Sequence, residues 1–238
     1  MILLIFCFSA FGGNLLILGD SHTVGPFGIK LHKLMSESER FERVVTLGHS
    51  SSSSLHWMSE TDYKLSGGVF HQFMSSFGEQ QFHPNPTHWR EKVLVPKLND
   101  VINNPLYHEA WQDNDFSFDS VVIALGANDA AAISNSSCVV NIWEYKKRQK
   151  YVAQMLDLTD KNNIKCYWVG PPMGIKKSEA NQDVLYKMLE EKIINRCEFF
   201  SSNHYKSTGC DGVHFSCPAQ QGKAFSWARE VSTWILNN

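Results

Sequence analysis

Apolar residues along this chain come in short unbroken runs, and most of the runs end at a glycine. Leu15 to Leu18 stop at Gly19, RVVTLG stops at Gly48, VVIALG stops at Gly126, and IKCYWVG stops at Gly170. Runs of four to six apolar residues bounded by turn residues predict strands covered on both faces. Between and after them the spacing changes to a helical one. Phe27, Leu31 and Leu34 share a face from Val24 to Met35, with Pro26 tolerated in a first turn. Val140 to Leu158 and Glu179 to Asn195 follow the same period. Gln220 to Leu236 is a terminal helix, with Phe225, Ala228, Val231, Trp234 and Ile235 on one broad apolar face. Alternating buried strands and amphipathic helices predict an α/β fold, a three-layer α/β/α sandwich around a central parallel sheet. Arg196 to Phe200 fits a last short strand.

Two stretches break the alternation. Residues 56–118 contain GGVFHQF, prolines on both sides of Asn85, and Trp57, Trp89 and Trp111 with His56, His71, His83 and His88. They are expected to form an insertion between sheet strands that folds onto the domain and helps shape a cleft, with one helix near His88 to Val101, because a structureless loop of that length is unusual. The tryptophans suit either a small core or a substrate wall. The chain begins MILLIFCFSAFGG, an apolar run followed by small residues. Residues 1–13 are read as a signal segment and 14–238 as the domain. That run is too short to span a bilayer, and it lacks the basic residues that usually precede such a core. The expected location is secreted or periplasmic, with no transmembrane anchor.

Composition narrows the classes. The 238 residues are 43% hydrophobic and 19% charged, with a formal net charge of -2. A nucleic-acid partner is not expected, since phosphate neutralisation calls for a basic excess. Six cysteines offer no close pair or Cys/His cluster for structural zinc. Cys210 and Cys217 flank DGVHFS and are expected to bridge, whereas Cys166, inside an apolar strand, is expected to be a free buried thiol.

Four short segments stand at element ends: GDSH at 19–22, GHSS at 48–51, GAND at 126–129 and DGVH at 211–214. In open parallel sheets, sites gather beyond the carboxyl ends of strands, so one cleft can collect all four. Ser21 follows a strand and a tight turn, which exposes its hydroxyl and leaves its amide near a developing oxyanion. Asp211 and His214 are three residues apart, close enough for the carboxylate to orient the imidazole and for the imidazole to deprotonate Ser21. Asn128 brings a side-chain N–H and Gly48 a backbone N–H. Each piece has a plainer reading: GDS as a strand-end turn, Asn128 as a cap, Asp211 as a turn former, Gly48 as a strand terminator. Their joint order is far more specific than any one of them.

The assembled pattern resembles the SGNH hydrolase superfamily, the GDSL-type esterases. ILGDSHTVG is similar to its first block, VTLGHSS to its second, VVIALGAND to its third and CDGVHFS to its last. The resemblance spans about residues 14–236. It implies the flavodoxin-like fold of that superfamily, catalytic Ser21, Asp211 and His214, an oxyanion hole of Ser21, Gly48 and Asn128, and no cofactor. It departs at His22, where leucine is common, and in the looser second block. Asp20 and His22 also form a DxH pair of the kind found in dinuclear phosphoesterases, but GAND lacks the histidine that such a site needs, so no metal is expected. His22 and Trp57 are candidate pocket-lining residues. The implied activity is hydrolysis of an O-acyl ester, foremost O-acetyl, on a carbohydrate or peptidoglycan. A lipid or general carboxylesterase or thioesterase is the alternative, and a non-catalytic carbohydrate-binding protein is a third reading.

Overall fold

The computed structural model describes residues 12–66, 69–75, 78–81, 92–103, 116–133, 139–174, 179–208, 211–215 and 217–238. Its elements run β1 (Gly13–Gly19), α1 (Ser21–Val24), α2 (Pro26–Ser36), β2 (Phe41–His49), α3 (Ser54–Met58), β3 (Lys64–Ser66), β4 (Val69–Ser75), β5 (Gly78–Gln81), β6 (Lys92–Leu94) and α4 (Leu98–Asn103). After them come β7 (Ser120–Ala124), α5 (Ala127–Ile133), α6 (Ile142–Lys161), β8 (Lys165–Val169), β9 (Met173–Gly174), α7 (Glu179–Ile193), β10 (Glu198–Phe200), β11 (Lys206–Ser207) and α8 (Pro218–Asn237).

The main sheet has the order β10-β8-β7-β1-β2-β4-β5. The first five of these strands are mutually parallel. Taken in chain order they read 2-1-3-4-5, the doubly wound arrangement whose crossovers reverse between the first and third strands, here β1 and β7. Leu15, Leu16, Ile17 and Leu18 are all fully buried, which is why β1 reads as a continuous apolar run. The pleat then sorts neighbours to opposite faces. Leu16, Leu18, Val45, Leu47, Val121, Ile123 and Trp168 pack under Val152, Met155 and Leu156 of α6 and Leu185, Met188 and Leu189 of α7. Leu15, Ile17, Val44, Val122, Tyr167 and Val169 pack against Phe27, Leu31 and Met35 of α2 and Trp227, Val231 and Ile235 of α8. The result is an α/β/α sandwich. Arg40 reaches the far end of α8 and donates to the carbonyls of Ile235 and Leu236, placing a cation where helix carbonyls are left over.

The sheet is not parallel throughout. β4 pairs antiparallel with β2, and β5 with β4. Val69–Ser75, read above as part of an insertion, therefore extends the sheet at the β2 edge. β3 and β6 form a separate antiparallel pair. Val95, Leu98, Val101, Phe116 and Phe118 are buried in the core shared with α6 and α7. The helix expected near His88 to Val101 is instead Leu98–Asn103, because Lys92–Leu94 is a strand and Pro96 follows it, holding Val95 extended. Trp89, Trp111, His83 and His88 lie outside the described residues, as do residues 1–11.

Cys166 is not a free thiol. It is bridged to Cys197, with the two Cα atoms 4.6 Å apart. The pairing of Tyr167 with Glu198 puts the residues just before them side by side on adjacent parallel strands, a neighbourhood that sequence separation does not reveal. Cys217 is also disulfide-bonded; Cys210, its expected partner, lies outside the described residues. The Cys166–Cys197 bridge closes a loop of 31 residues, for which chain entropy alone gives about 3–4 kcal/mol. A Cys166→Ala/Cys197→Ala double variant is expected to lose up to about that amount in urea denaturation. An unchanged unfolding free energy would show that the bridge adds nothing.

Candidate active site

Ser21, Gly48, Asn128 and Asp20 stand at or just beyond the carboxyl ends of β1, β2 and β7, astride the β1/β7 reversal. Gly19 ends β1 where a Cβ would lie 2.0 Å from Thr23 Oγ1, so only glycine lets α1 fold back so tightly. Asp20 caps that short helix, its carboxylate accepting the His22 N–H at 2.9 Å. Ser21 is the first helical residue and is half-buried. Among the described residues its backbone N–H has no acceptor, whereas the next three amides donate to Asp20 or to its side chain.

Asp211 and His214 reach this serine from the loop before α8. Asp211 Oδ1 accepts the N–H groups of Val213 (2.9 Å) and His214 (2.8 Å), and its Oδ2 lies 2.5 Å from His214 Nδ1. The other ring nitrogen, Nε2, is 2.7 Å from Ser21 Oγ. Residues 193 positions apart are thus joined in one line from carboxylate to imidazole to hydroxyl. Burial alone would raise the Asp211 carboxyl, but the hydrogen bonds from the His214 amide and ring and from the Val213 amide outweigh it. Together they hold the group well below the usual carboxylate range. Ser207 on β11 donates to the His214 carbonyl at 2.9 Å, which ties the loop to the domain.

His22, expected to line the pocket, is packed among aromatic side chains in the structure. It is 6% exposed, and its ring lies behind His214 at 5.3 Å between centroids, edge-on to Trp227 at 5.6 Å. Its place is to back the imidazole. Trp57 is likewise a core residue: it is fully buried, stands edge-on to His49, and donates its indole N–H to Ser52 Oγ at 3.2 Å. The DxH pair is engaged in capping and packing, and among the described residues no group of three or more His, Cys, Asp or Glu side chains is placed to hold a metal ion.

Gly48 is a strand residue in the structure. It lies inside β2, paired with Gly19 on one side and Phe70 on the other, so its amide lies in the plane of the sheet. Its lack of a side chain serves close packing, since a Cβ would come within 2.9 Å of the Val24 nitrogen. The first turn beyond β2 is different. Ser51 is exposed and adopts φ 64°, and among the described residues its N–H has no acceptor. Asn128, in the first turn of α5, donates from Nδ2 to the Ser52 carbonyl at 2.8 Å. Ser52 Oγ in turn donates to the Gly19 carbonyl at 3.2 Å. The serine loop therefore bridges the ends of β1 and β7 and fixes the amide of Asn128 while leaving its second N–H.

Beneath this loop lies a polar network that the sequence did not single out. Asp129, 1% exposed, accepts from Ser54 Oγ (2.6 Å) and Ser54 N (3.2 Å). Arg148 of α6 donates to Ser53 Oγ at 2.6 Å and lies 3.5 Å from Asp129 and 3.2 Å from Glu144. Burial raises the Asp129 carboxyl, with Ser54 and Arg148 opposing. His56 Nδ1 accepts the Ser53 N–H at 3.0 Å, the return half of a capping box. The serine run at 50–54 was the visible signal: five small hydroxyls in a row fit a loop whose side chains bond to the backbone and to buried charges.

His56 gives the network a pH signature. Burial first, then the charges of Arg148, Lys97 and Lys147, push its pKa down to about 4. In the unfolded chain a histidine titrates near 6.5. Between those two values the unfolded chain binds a proton that the folded chain refuses, so stability falls as pH drops through that window. The urea midpoint is expected to decline between pH 6.5 and 4 less steeply in His56→Gln than in the unaltered protein. Parallel slopes would refute this assignment.

Comparison with known proteins adds a family and a fold. Residues 99–224, just over half of the chain, match the model of a family described as "Protein of unknown function (DUF459)". No curated protein matches the chain. Among solved structures, one described as a carbohydrate acetylesterase family member from Sinorhizobium meliloti is 14% identical, with a TM-score of 0.51, 95% of this chain covered and 100% of the other. An acetyl xylan esterase, Est2A, from Butyrivibrio proteoclasticus is 12% identical with a TM-score of 0.49. That alignment covers 95% of this chain, which spans only 64% of the esterase. A GDSL-like lipase from Bacteroides thetaiotaomicron is 13% identical with a TM-score of 0.49, covering 94% and 89%. At these identities the likeness is one of fold.

Proposed function

The chain belongs to the DUF459 family, and on that premise we propose that it is a serine esterase that removes O-acyl groups, foremost O-acetyl, from a carbohydrate through an acyl-enzyme. The observation that carries this reading is the unbroken line Asp211–His214–Ser21, at 2.5 and 2.7 Å, opening beside an amide at Ser21 that no described residue uses. His214 Nε2 takes the proton of Ser21 as Oγ attacks the ester carbonyl. Asp211 keeps the Nδ1–H of the ring pointed at itself and stabilises the imidazolium. The oxyanion meets the N–H of Ser21, the second Nδ2 hydrogen of Asn128 and, in place of Gly48, the N–H of Ser51. Collapse expels the alcohol, which leaves with the proton from His214. Water deprotonated by the same ring then attacks the acyl-serine and frees the acid.

Acylated carbohydrate is favoured as the substrate class by the similar fold of a protein described as a carbohydrate acetylesterase family member. A secreted or periplasmic setting is favoured by two cysteines bridged across adjacent strands and a third that is also disulfide-bonded, since such bonds persist in oxidising compartments. The deciding experiment measures acetate released from acetylated polysaccharides and peptidoglycan alongside short and long acyl esters. Acetate release from a polymer supports the reading, and release confined to long acyl esters would replace it with a lipid esterase. In the same assay Asn128→Ala is expected to lower kcat about a hundredfold or more, as loss of one oxyanion donor does; an unchanged kcat would remove Asn128 from the oxyanion hole.

A further inference from the structure

Four large apolar side chains stand exposed within five consecutive residues: Val139 at 60%, Val140 at 38%, Ile142 at 62% and Trp143 at 74%. They account for half of the exposed large hydrophobics among the described residues, and soluble surfaces rarely gather so many in one place without a use. They lead into and begin α6. One and two turns further along the same stripe come Lys146 and Lys150, both exposed, and among the described residues neither has an acidic partner. Glu144, the acidic residue in this stretch, faces Arg148 at 3.2 Å and Lys147 at 3.8 Å, so its charge is matched within the helix. An aliphatic and indole tip followed by a row of cations is the arrangement that suits the interface of an anionic bilayer, where the tip enters the acyl boundary and the ammonium groups stay at the headgroups.

Two other occupants fit less well. Trp143 alone offers a flat face for a sugar ring; Val139, Val140 and Ile142 are branched aliphatic side chains that offer none. A second copy packed here with the two helices parallel would bring its own lysine row against this one. The patch also has an orientation. The Asn141 N–H donates to the Ile133 carbonyl at 2.7 Å at the end of α5, the helix whose first turn carries Asn128. Arg148, two turns into α6, holds Ser53 on the loop beyond β2. The start of α6 is therefore at the end of the sheet where Ser21 sits.

We propose that the start of α6 is a docking face for an anionic membrane surface, which turns the Ser21 end of the sheet toward the bilayer. The test is co-sedimentation of the full chain with vesicles of phosphatidylcholine containing a quarter phosphatidylglycerol, against phosphatidylcholine alone. Hydrolysis of a soluble ester serves as the check that each variant is folded. Binding is expected with the anionic vesicles, weakening as salt rises. Lys146→Gln/Lys150→Gln should bind about thirtyfold more weakly, the value of two cations near such a surface. Ile142→Ser/Trp143→Ser should lose at least tenfold, with ester hydrolysis unchanged. Equal partition into both vesicle types, or undiminished binding of the Ile142→Ser/Trp143→Ser variant, overturns the proposal. So does retention on insoluble polysaccharide, or concentration-dependent dimerisation, that depends on Trp143 while vesicles are ignored.

Discussion

Ser21→Ala is expected to lower kcat toward an acetyl ester by on the order of 10⁵-fold and to abolish the acylated protein that mass spectrometry would trap during turnover. Among the described residues, the hydroxyl at 2.7 Å from His214 Nε2 is the one nucleophilic group in the line from Asp211 through His214. The expectation has a sharper form. Residues that act as one device do not contribute independently. Once Ser21 is gone, His214 has no proton to accept, so Ser21→Ala/His214→Ala should be no slower than Ser21→Ala. The residual rate should come from substrate held against the remaining oxyanion donors. Retained activity in Ser21→Ala on the native substrate would end the acyl-enzyme reading, and a double variant much slower than either single one would show that His214 acts on something else.

Arg148→Met is expected to destabilise the protein by about 3–5 kcal/mol in urea denaturation. Its guanidinium is 8% exposed and the Asp129 side chain 2%. Removing the cation leaves the carboxylate buried with, among the described residues, Ser54 alone as partner, and an uncompensated buried charge costs about that much. The loss should be partly recovered in Arg148→Met/Asp129→Asn, because the neutral amide needs no counter-charge. The two losses are coupled and will not add. A loss under about 1 kcal/mol in the single variant would mean that Asp129 is already neutral or is reached by water. Since Arg148 also holds Ser53, next to the residue that fixes Asn128, the surviving folded fraction should show a lower kcat with little change in KM.

The residues that the structure gathers at one end of the sheet were legible in the sequence because Ser21 and Asn128 each follow a strand whose unbroken apolar character is itself a signal. Leu15 to Leu18 announce Ser21, and Val121 to Leu125 announce Asn128. The contiguous DGVH places Asp211 and His214 on one turn without any knowledge of the fold. What escaped depends on which strands become neighbours. Cys166 read as one more apolar strand residue, and only the parallel pairing of β8 with β10 sets Cys197 beside it. GGVFHQF carried the composition of a strand, but its two leading glycines and the histidines around it suggested an excursion, and its partner β2 lies beyond α3 and β3 in the chain. Gly48 was assigned by its place after a strand. The pairing with both β1 and β4 takes its amide into the sheet, and the left-handed Ser51 three residues on has no mark in the sequence, since serine rarely adopts that conformation. Arg148 sits in a helix among Lys146, Lys147 and Lys150, and nothing in the residue string sets it apart from those solvated neighbours. Its burial follows from the way α6 crosses α3.

The bridge between β8 and β10 has a bearing on how the molecule breathes. An open sheet usually frays from its outermost strand, and β10 is three residues long, too short to resist peeling by hydrogen bonds alone. With Cys197 tethered to Cys166, that margin opens only when the inner strands do. The backbone that leaves β10 through Ser202 and Tyr205 continues toward the loop bearing His214, so the imidazole is suspended from a margin tied covalently to an inner strand. Removing that bridge alone, as in Cys166→Ala/Cys197→Ala, would uncouple the two, letting the histidine loop sample open states while the centre of the sheet stays closed.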